Sequence, residues 1–260
     1  MSLIRNKYSF LLLIVITFFS TEKIFSQDIG FGCLGLIGGF VGYEIQNYKS
    51  QTINLYSQFY NEKNKNSIVD PFKKFGEARG FRFGLNLFRK NYSGFIVTIK
   101  TSYQEISEKD NQVIFVNGSE QINMLELDFR NFSLGIDLGT TITPALSWKV
   151  IEASLIYYQT EIVETVNPAG MQSSIKYYKH KNPEFGYNLG TGFILHLIKN
   201  YISLEGSASY SIFNIKEVTD DDGKIFFYDN PEQNLMQTRE NLITSGGVNL
   251  VIQLNIGFPI

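Results

Sequence analysis

The chain has 260 residues, a single cysteine and a formal net charge of −2 at pH 7. One cysteine excludes an internal disulfide and a cysteine-based metal cage. The nearly balanced charge gives no reason to expect a nucleic acid as partner. Aromatic residues make up 15% of the chain and Gly is frequent, a composition that transmembrane β-barrels share.

Residues 1–26 have the pattern of a secretory signal peptide. Arg5 and Lys7 form a basic start, and an apolar run follows over residues 8–19. The run is shorter than the ~20 residues that a membrane-spanning helix requires. We therefore expect cleavage after Ser26, with an uncleaved anchor as the alternative. Cys33 has Gly30 three residues before it, where a lipid-accepting cysteine normally has Leu, so we interpret it as an ordinary small apolar residue.

The remainder, residues 27–260, reads as one β domain. We predict eight strands, at residues 29–48, 77–88, 93–106, 121–138, 147–162, 184–198, 201–215 and 246–258. The last strand alternates most regularly, with apolar residues on one face and mainly polar residues on the other. Its apolar face consists of Val248, Leu250, Ile252, Leu254, Ile256 and Phe258.

This pattern predicts an all-β fold, an eight-stranded antiparallel up-and-down transmembrane β-barrel. The alternative is a soluble lipocalin-like barrel, which would turn its apolar face inward around a ligand. The position of the aliphatic residues of the last strand, outside or inside, distinguishes the two folds.

The fourth strand changes parity along its length. Leu125, Leu127 and Phe129 alternate in one phase, and Leu134 and Ile136 alternate in the other. A β-bulge near residues 130–131 would keep all of these apolar side chains on the lipid-facing side. The sequence therefore predicts a bulge at that point.

The connections alternate in length, as they do in outer-membrane barrels. Four are long and polar, and we predict that they form loops at the outer rim: 49–76, 107–120, 164–183 and 216–241. The others are short and predicted to be periplasmic. Aromatic residues near the short turns suggest an interfacial girdle; they are Phe88, Tyr92, Trp148, Tyr201 and Phe258.

An eight-stranded barrel has an interior that side chains fill. The face assignments turn eight charged residues inward, namely Arg82, Lys100, Glu126, Asp128, Arg130, Asp137, Glu152 and Glu205. Charges of both signs in a closed space must pair, because an unpaired buried charge is costly. We interpret the set as a structural plug of ion pairs; a narrow ion path lined by the same groups is the alternative.

No pattern in the chain predicts catalytic, cofactor-binding or metal-binding residues. Residues 220–223 resemble a fragment of a calcium loop but lack the spaced ligands of an EF-hand, so a solvated turn is expected. His180 and His196 are the only histidines. We expect His196 to point inward near a periplasmic turn, away from the outer wall where a membrane-embedded lipid hydrolase would need it. An enzyme is therefore not expected.

Three stretches resemble a known family: Phe25-Ser26 before Gln27, Leu125-Glu126-Leu127, and Leu-Asn-Ile-Gly-Phe at 254–258. In these the chain is similar to the outer-membrane β-barrel family of Bacteroidetes, whose members resemble small OmpA/OmpX-type barrels and are often described as porin-like. It departs from the family at Asp128-Phe129 and in its Phe-Pro-Ile end. The resemblance implies the cell outer membrane and no particular substrate.

The expected function is that of a structural or interaction protein, with a plugged lumen and partner contacts through the four long loops. Outer-membrane lipid is the expected surrounding, the loops are the expected place for a protein partner, and no cofactor is expected. A narrow porin-like channel and a membrane-embedded lipid hydrolase are the alternatives.

Overall fold

The computed structural model describes residues 38–257 apart from 117, 169, 171, 181, 183, 199–200 and 227–240. Ten strands and one helix occupy this part of the chain. In chain order they are β1 Gly38–Lys49, α1 Gln51–Lys63, β2 Ile68–Asp70, β3 Glu77–Tyr92, β4 Phe95–Val116, β5 Ser119–Thr143, β6 Leu146–Pro168, β7 Ser174–Lys179, β8 Glu184–Ile198, β9 Ile202–Ile212 and β10 Ser245–Ile256.

Eight of these strands close a barrel. Each pairs antiparallel with its neighbour in the order β1, β3, β4, β5, β6, β8, β9, β10, and β10 pairs with β1. The short β2 and β7 extend the sheet by pairing with β4 and β6. The predicted eight-stranded antiparallel up-and-down barrel is therefore confirmed.

The eight predicted strands correspond to the barrel strands, although several are longer than predicted. β4, β5 and β6 have 22, 25 and 23 residues, whereas a barrel strand needs only ~9–11 residues to cross a bilayer. The predicted signal peptide, Cys33 and Phe258 lie outside the described residues. The helix that the structure describes is too short and too polar to cross a membrane.

The outer wall is apolar and the interior is polar. On β10, Leu250 and Ile252 are about half exposed on the outside, while Asn249, Gln253 and Asn255 are buried inside. This arrangement excludes the lipocalin-like alternative, because a soluble barrel would expose its polar face. The wall is instead suited to lipid, and Phe88, Tyr92, Trp148 and Tyr201 are exposed close to the short turns.

The predicted bulge at residues 130–131 is wrong. β5 pairs with β4 and β6 without interruption from Gln121 to Leu138. Its odd-numbered side chains consequently point inward along the whole strand, so Leu125, Leu127 and Phe129 are buried inside while Leu134 and Ile136 face lipid. The apparent change of parity therefore reflects a change of surroundings. The first half of β5 lies beyond the membrane-spanning part of the barrel, and its apolar side chains pack in a protein core.

A row of aromatic side chains on the outer wall marks the boundary between its apolar part and its charged part. Its members are partners in adjacent strands, with ring centroids 4.9 to 5.5 Å apart where they touch. Beyond this row the outward residues become charged. The row consists of Phe83, Tyr103, Phe132, Tyr157 and Phe185.

The structure beyond this aromatic row is here named the crown. It comprises α1, β2, β7, residues 105–116, 119–130 and 159–168 of the three long strands, and the segment 213–226 with 241–243. The prediction of four loops is therefore wrong in part: 107–120 is a strand hairpin, 49–76 contains α1 and β2, and 164–183 contains the end of β6 and β7. In the described part of 216–241, Thr219 forms isolated bridges with Lys179 and with Ile225.

The crown is held together by its own core and by buried polar contacts. Ser50 caps α1 by accepting a hydrogen bond from Ile53 N at 3.1 Å, and it donates one to the carbonyl of Leu242. Glu108 accepts hydrogen bonds from Tyr48 Oη and the backbone of 76–77. Burial raises the pKa of this carboxyl. Residues from α1, β4, β5, β6 and the segment 213–226 meet in one apolar cluster, so the crown is a packed structure.

Candidate functional site

Inside the barrel, two lysines join three carboxylates into one network. Lys100 Nζ lies 3.0 Å from Asp137 Oδ2 and 2.9 Å from Glu152 Oε1. Lys149 Nζ lies 2.6 Å from Glu152 Oε2 and also contacts Glu205. The five side chains come from β4, β5, β6 and β9, so the network ties opposite parts of the wall together. Each is nearly inaccessible to solvent, and such close pairing offsets the cost of burying the charges.

A second ion pair extends the network toward β1 and β3. Arg82 lies 3.7 Å from Glu44, whose other oxygen accepts a hydrogen bond from Asn249 at 2.5 Å. Arg82 also lies over the ring of Phe40, 5.5 Å from its centroid. Arg89 is buried nearer the short turns, where it lines a small pocket together with Asp137 and Glu205.

The buried charges balance. Among the described residues, eight buried side chains are charged, four basic and four acidic, and all point into the barrel. They are Glu44, Arg82, Arg89, Lys100, Asp137, Lys149, Glu152 and Glu205.

Three of the predicted lumen residues lie elsewhere. Glu126, Asp128 and Arg130 have even numbers on β5 and therefore face outward from the crown. Arg130 pairs there with Glu105 at 3.5 Å and with Glu161 at 3.7 Å. Their assignment to the lumen was wrong because it depended on the bulge that β5 does not contain. The other five, Arg82, Lys100, Asp137, Glu152 and Glu205, do lie inside.

Sequence reasoning missed Glu44, Arg89 and Lys149. Lys149 and Arg89 point inward because of β-bulges. One extra residue in β6 lies between Lys149 and Glu152, and one extra residue in β3 lies between Asn86 and Phe88. Each bulge turns a residue inward that simple alternation would place outside. Glu44 lies on β1, whose Gly-rich sequence has only a weak pattern. No signal in the sequence by itself locates these bulges.

The lumen remains filled above and below the charges. Toward the crown, Gln46 is hydrogen-bonded to Gln104 at 3.3 Å and to Tyr158 at 3.5 Å. Above these side chains lies the apolar core of the crown, which includes Leu127 and Phe129. Toward the short turns, a pocket of about 20 Å³ lies beside Arg89, Asp137 and Lys149, which is room for about one water molecule. Side chains therefore occupy the described interior along its length.

The two histidines occupy different regions. His196 is half-buried near a short turn, and its Nε2 lies 2.9 Å from Ser147 Oγ. A catalytic triad has a carboxylate behind the imidazole. The charge interaction of the His196 ring is instead with the cation Arg89. His180 directly follows β7 at the edge of the crown and lies 3.7 Å from Glu184, and burial lowers its pKa.

The outer face of the crown carries charges of both signs. Lys109 pairs with Glu126 at 3.5 Å, and Lys179 lies 3.8 Å from Glu161. Asp128 lies between these pairs, beside Ser107 and Glu161 on the neighbouring strands. Partial burial, helped by the nearby carboxylates, raises the pKa of Asp128 to about 6.

Within the described ranges, no three His, Cys, Asp or Glu side chains are grouped so that they could hold a metal ion. Residues 220–223 form a tight turn closed by a hydrogen bond from Gly223 N to the carbonyl of Asp220 at 3.0 Å. Lys224 N donates to the Asp220 side chain at 2.7 Å. Turn geometry therefore accounts for this acidic segment.

Comparison with protein-family models finds no match, and comparison with curated proteins finds none either. Among solved structures, the chain is similar to Ail, the attachment invasion locus protein of Yersinia pestis, with 10% identity over 85% of this chain and 97% of that one, at a TM-score of 0.38. Neisserial surface protein A gives 11% identity, coverage of 85% and 96%, and a TM-score of 0.33.

The outer-membrane protease OmpT from Escherichia coli gives 8% identity, coverage of 91% and 99%, and a TM-score of 0.38. Identities and scores at this level carry no argument about activity, ligand or partner. The closed ring of paired strands and the apolar outer wall are the basis for the fold.

Proposed function

We propose that this chain is a surface protein of the cell outer membrane that acts through its crown while its lumen stays closed. The observation that carries the proposal is the filled interior: four basic and four acidic side chains are interlocked beneath an apolar core. A solute path would require several buried ion pairs to open together, each at a large desolvation cost. The proposal is therefore of an interaction protein, without transport or catalysis.

The proposed location follows from the outer wall and from the sequence. The apolar wall needs lipid, and closed β-barrels with short turns at one end are characteristic of outer membranes. Residues 1–26 would serve as the secretory signal, and membership of the Bacteroidetes outer-membrane barrel family remains part of the proposal. The crown, at the end opposite the short turns, would face the outside of the cell.

Planar-bilayer recording on the purified full-length chain tests the closed lumen. We expect no stable open channels across the voltage range in which the bilayer itself holds. Reproducible channels of porin size would overturn the proposal and support the narrow-channel alternative.

Cysteine labelling in intact cells tests the location and orientation. In a Cys33→Ala background, Asp221→Cys in the exposed turn of the crown should react with a membrane-impermeant maleimide. Thr141→Cys near the short turns is the matched control and should react only after the outer membrane is permeabilised. The reverse order of reactivity would contradict the proposed orientation.

A further inference from the structure

The outer face of the crown carries an exposed apolar stripe that is separated from the lipid-facing wall by the charged residues described above. Cross-strand pairs join its members: Val113 lies opposite Ile122, and Val163 lies opposite Tyr177. Ile175 and Tyr177 are each about half exposed. The stripe consists of the exposed Ile122, Ile175 and Tyr177 and the partly exposed Val113, Met124 and Val163.

The stripe runs parallel to the membrane. From Gly38 at the inner end of β1, paired residues on successive strands can be followed around the barrel to Ser211 on β9. Ser211 is next to the residue that pairs with Val248, and Val248 lies beside the outer end of β1. A line of paired residues therefore rises toward the crown by between one and two residues per strand. From Val113 through Met124 to Val163 the stripe steps down two residues per strand. This descent offsets the climb, and the stripe stays at nearly constant height.

We propose that this face joins two copies of the chain side by side, related by a two-fold axis along the membrane normal. Both copies cross the bilayer in the same direction, so such an axis places equal heights opposite each other. Apolar stripe then meets apolar stripe. The inference rests on the proposed crown-outward orientation and names a second copy as the partner of the crown.

The charges favour a second copy over a strongly charged partner. The band below the stripe contains three basic residues, Lys109, Arg130 and Lys179, among four acidic ones, Glu105, Glu126, Asp128 and Glu161. Because both signs are interspersed at one height, a two-fold contact can bring opposite charges together. A patch of single sign would instead have favoured a partner of the opposite sign.

The size of the face reaches what a specific contact needs. About nine residues each of β4, β5 and β6 and the six residues of β7, at ~4.8 Å between strands and ~3.3 Å per residue, cover roughly 500 Å². Two such faces together bury about 1,000 Å², which is the lower limit for a specific protein contact.

Disulfide trapping in lipid tests the contact. The full-length chain with Cys33→Ala is reconstituted in vesicles, and Met124→Cys, near the centre of the stripe, is oxidised. We expect covalent dimers from Met124→Cys and none from the matched control Thr244→Cys, which is exposed directly before β10, four strands around the barrel from β5. Equal yields from both variants would overturn the proposal.

A mass measurement in detergent gives an independent test. The wild-type chain should be a dimer, and the double variant Ile122→Glu/Tyr177→Glu should shift the equilibrium toward monomer by more than about tenfold, because like charges would face each other. Heat-modifiable migration on gels checks that the variant still forms a barrel. A monomeric wild type, or a variant that stays dimeric, contradicts the inference. A monomer with a closed lumen and an outward crown would leave the proposed function standing.

Discussion

Lys149 Nζ lies 2.6 Å from Glu152 Oε2, although residues three apart on a regular strand point to opposite faces. The extra residue in β6 between them turns both side chains into the lumen. Lys149 thereby contacts three carboxylates, those of Asp137, Glu152 and Glu205. This lysine is the most highly connected member of the network.

Replacing Lys149 with Met should therefore strongly destabilise the barrel. The change leaves buried carboxylates with too few cations, and we expect a loss of about 3–5 kcal/mol in the free energy of unfolding. Urea unfolding from lipid vesicles measures it. The matched control Lys109→Met breaks an exposed pair and should cost less than about 1 kcal/mol.

The double variant Lys149→Met/Glu205→Gln should recover part of this loss, because it removes one of the unpaired charges. Equal costs for Lys149→Met and Lys109→Met would contradict the assignment of Lys149 to a buried network.

Leu127→Ala should destabilise the crown. Leu127 is 0% exposed in the apolar core, and truncating such a side chain leaves a cavity that costs about 2–5 kcal/mol. Leu134→Ala on the same strand is the matched control. Leu134 is 55% exposed on the lipid side, where lipid can fill the space, so its cost should be clearly smaller. A larger cost for Leu134→Ala would mean that the faces of β5 are inverted.

Arginine on the lipid-facing side of β10 should be poorly tolerated. Leu250→Arg and Ile252→Arg should each cost about 2–4 kcal/mol if these residues lie near the bilayer midplane. Asn255→Ser points inward, where it loses hydrogen bonds to Ser203 and Glu205, and it should cost about 1 kcal/mol. Folding titrations into vesicles compare the three variants, and a greater sensitivity at Asn255 would reverse the proposed faces.

Asp128→Asn should stabilise the protein in a pH-dependent way. The pKa of this carboxyl is raised to about 6 in the folded protein, so the folded state holds its proton more tightly than the unfolded state. Stability contributed by this group therefore falls as pH rises from about 4 to about 6. The asparagine variant should gain at most about 1 kcal/mol at pH 8, since the half-exposed carboxyl is screened.

At pH 3 the same substitution should change stability little, because the carboxyl is then largely protonated in both states. Urea unfolding at the two pH values measures the difference. A gain at pH 3 that equals the gain at pH 8 would show that the charge of Asp128 is not the cause.

Much of the barrel could be predicted from local alternation. The regular apolar face of residues 248–256 depends only on the two-residue period of a strand, which the sequence displays directly. The alternation of short and long connections indicates the short turns and the even number of strands. Arg82, Lys100, Asp137, Glu152 and Glu205 could be placed inside from the same two-residue period. Each lies in a stretch whose parity is regular or whose neighbours are clearly apolar.

Other features were decided only by the tertiary structure. Whether an apolar face meets lipid or a protein core is not encoded in its alternation, so Leu125, Leu127 and Phe129 could not be distinguished from lipid-facing residues. For the same reason the prediction placed Glu126, Asp128 and Arg130 in the lumen, whereas they lie on the surface of the crown. The hairpin at 107–120 looked like a loop because its inward residues, such as Gln112, are polar and satisfied by buried amides.

The sequence by itself determined the fold class, the strand order and the polarity of the barrel wall, because these follow from the two-residue period of the strands and the alternating lengths of their connections. The tertiary structure decided the bulges that bring Lys149 and Arg89 inside, the burial of the crown and the apolar stripe on its outer face. These depend on which strands pair beyond the membrane and where one residue is added to a ladder. Such long-range choices leave no periodic trace in the chain.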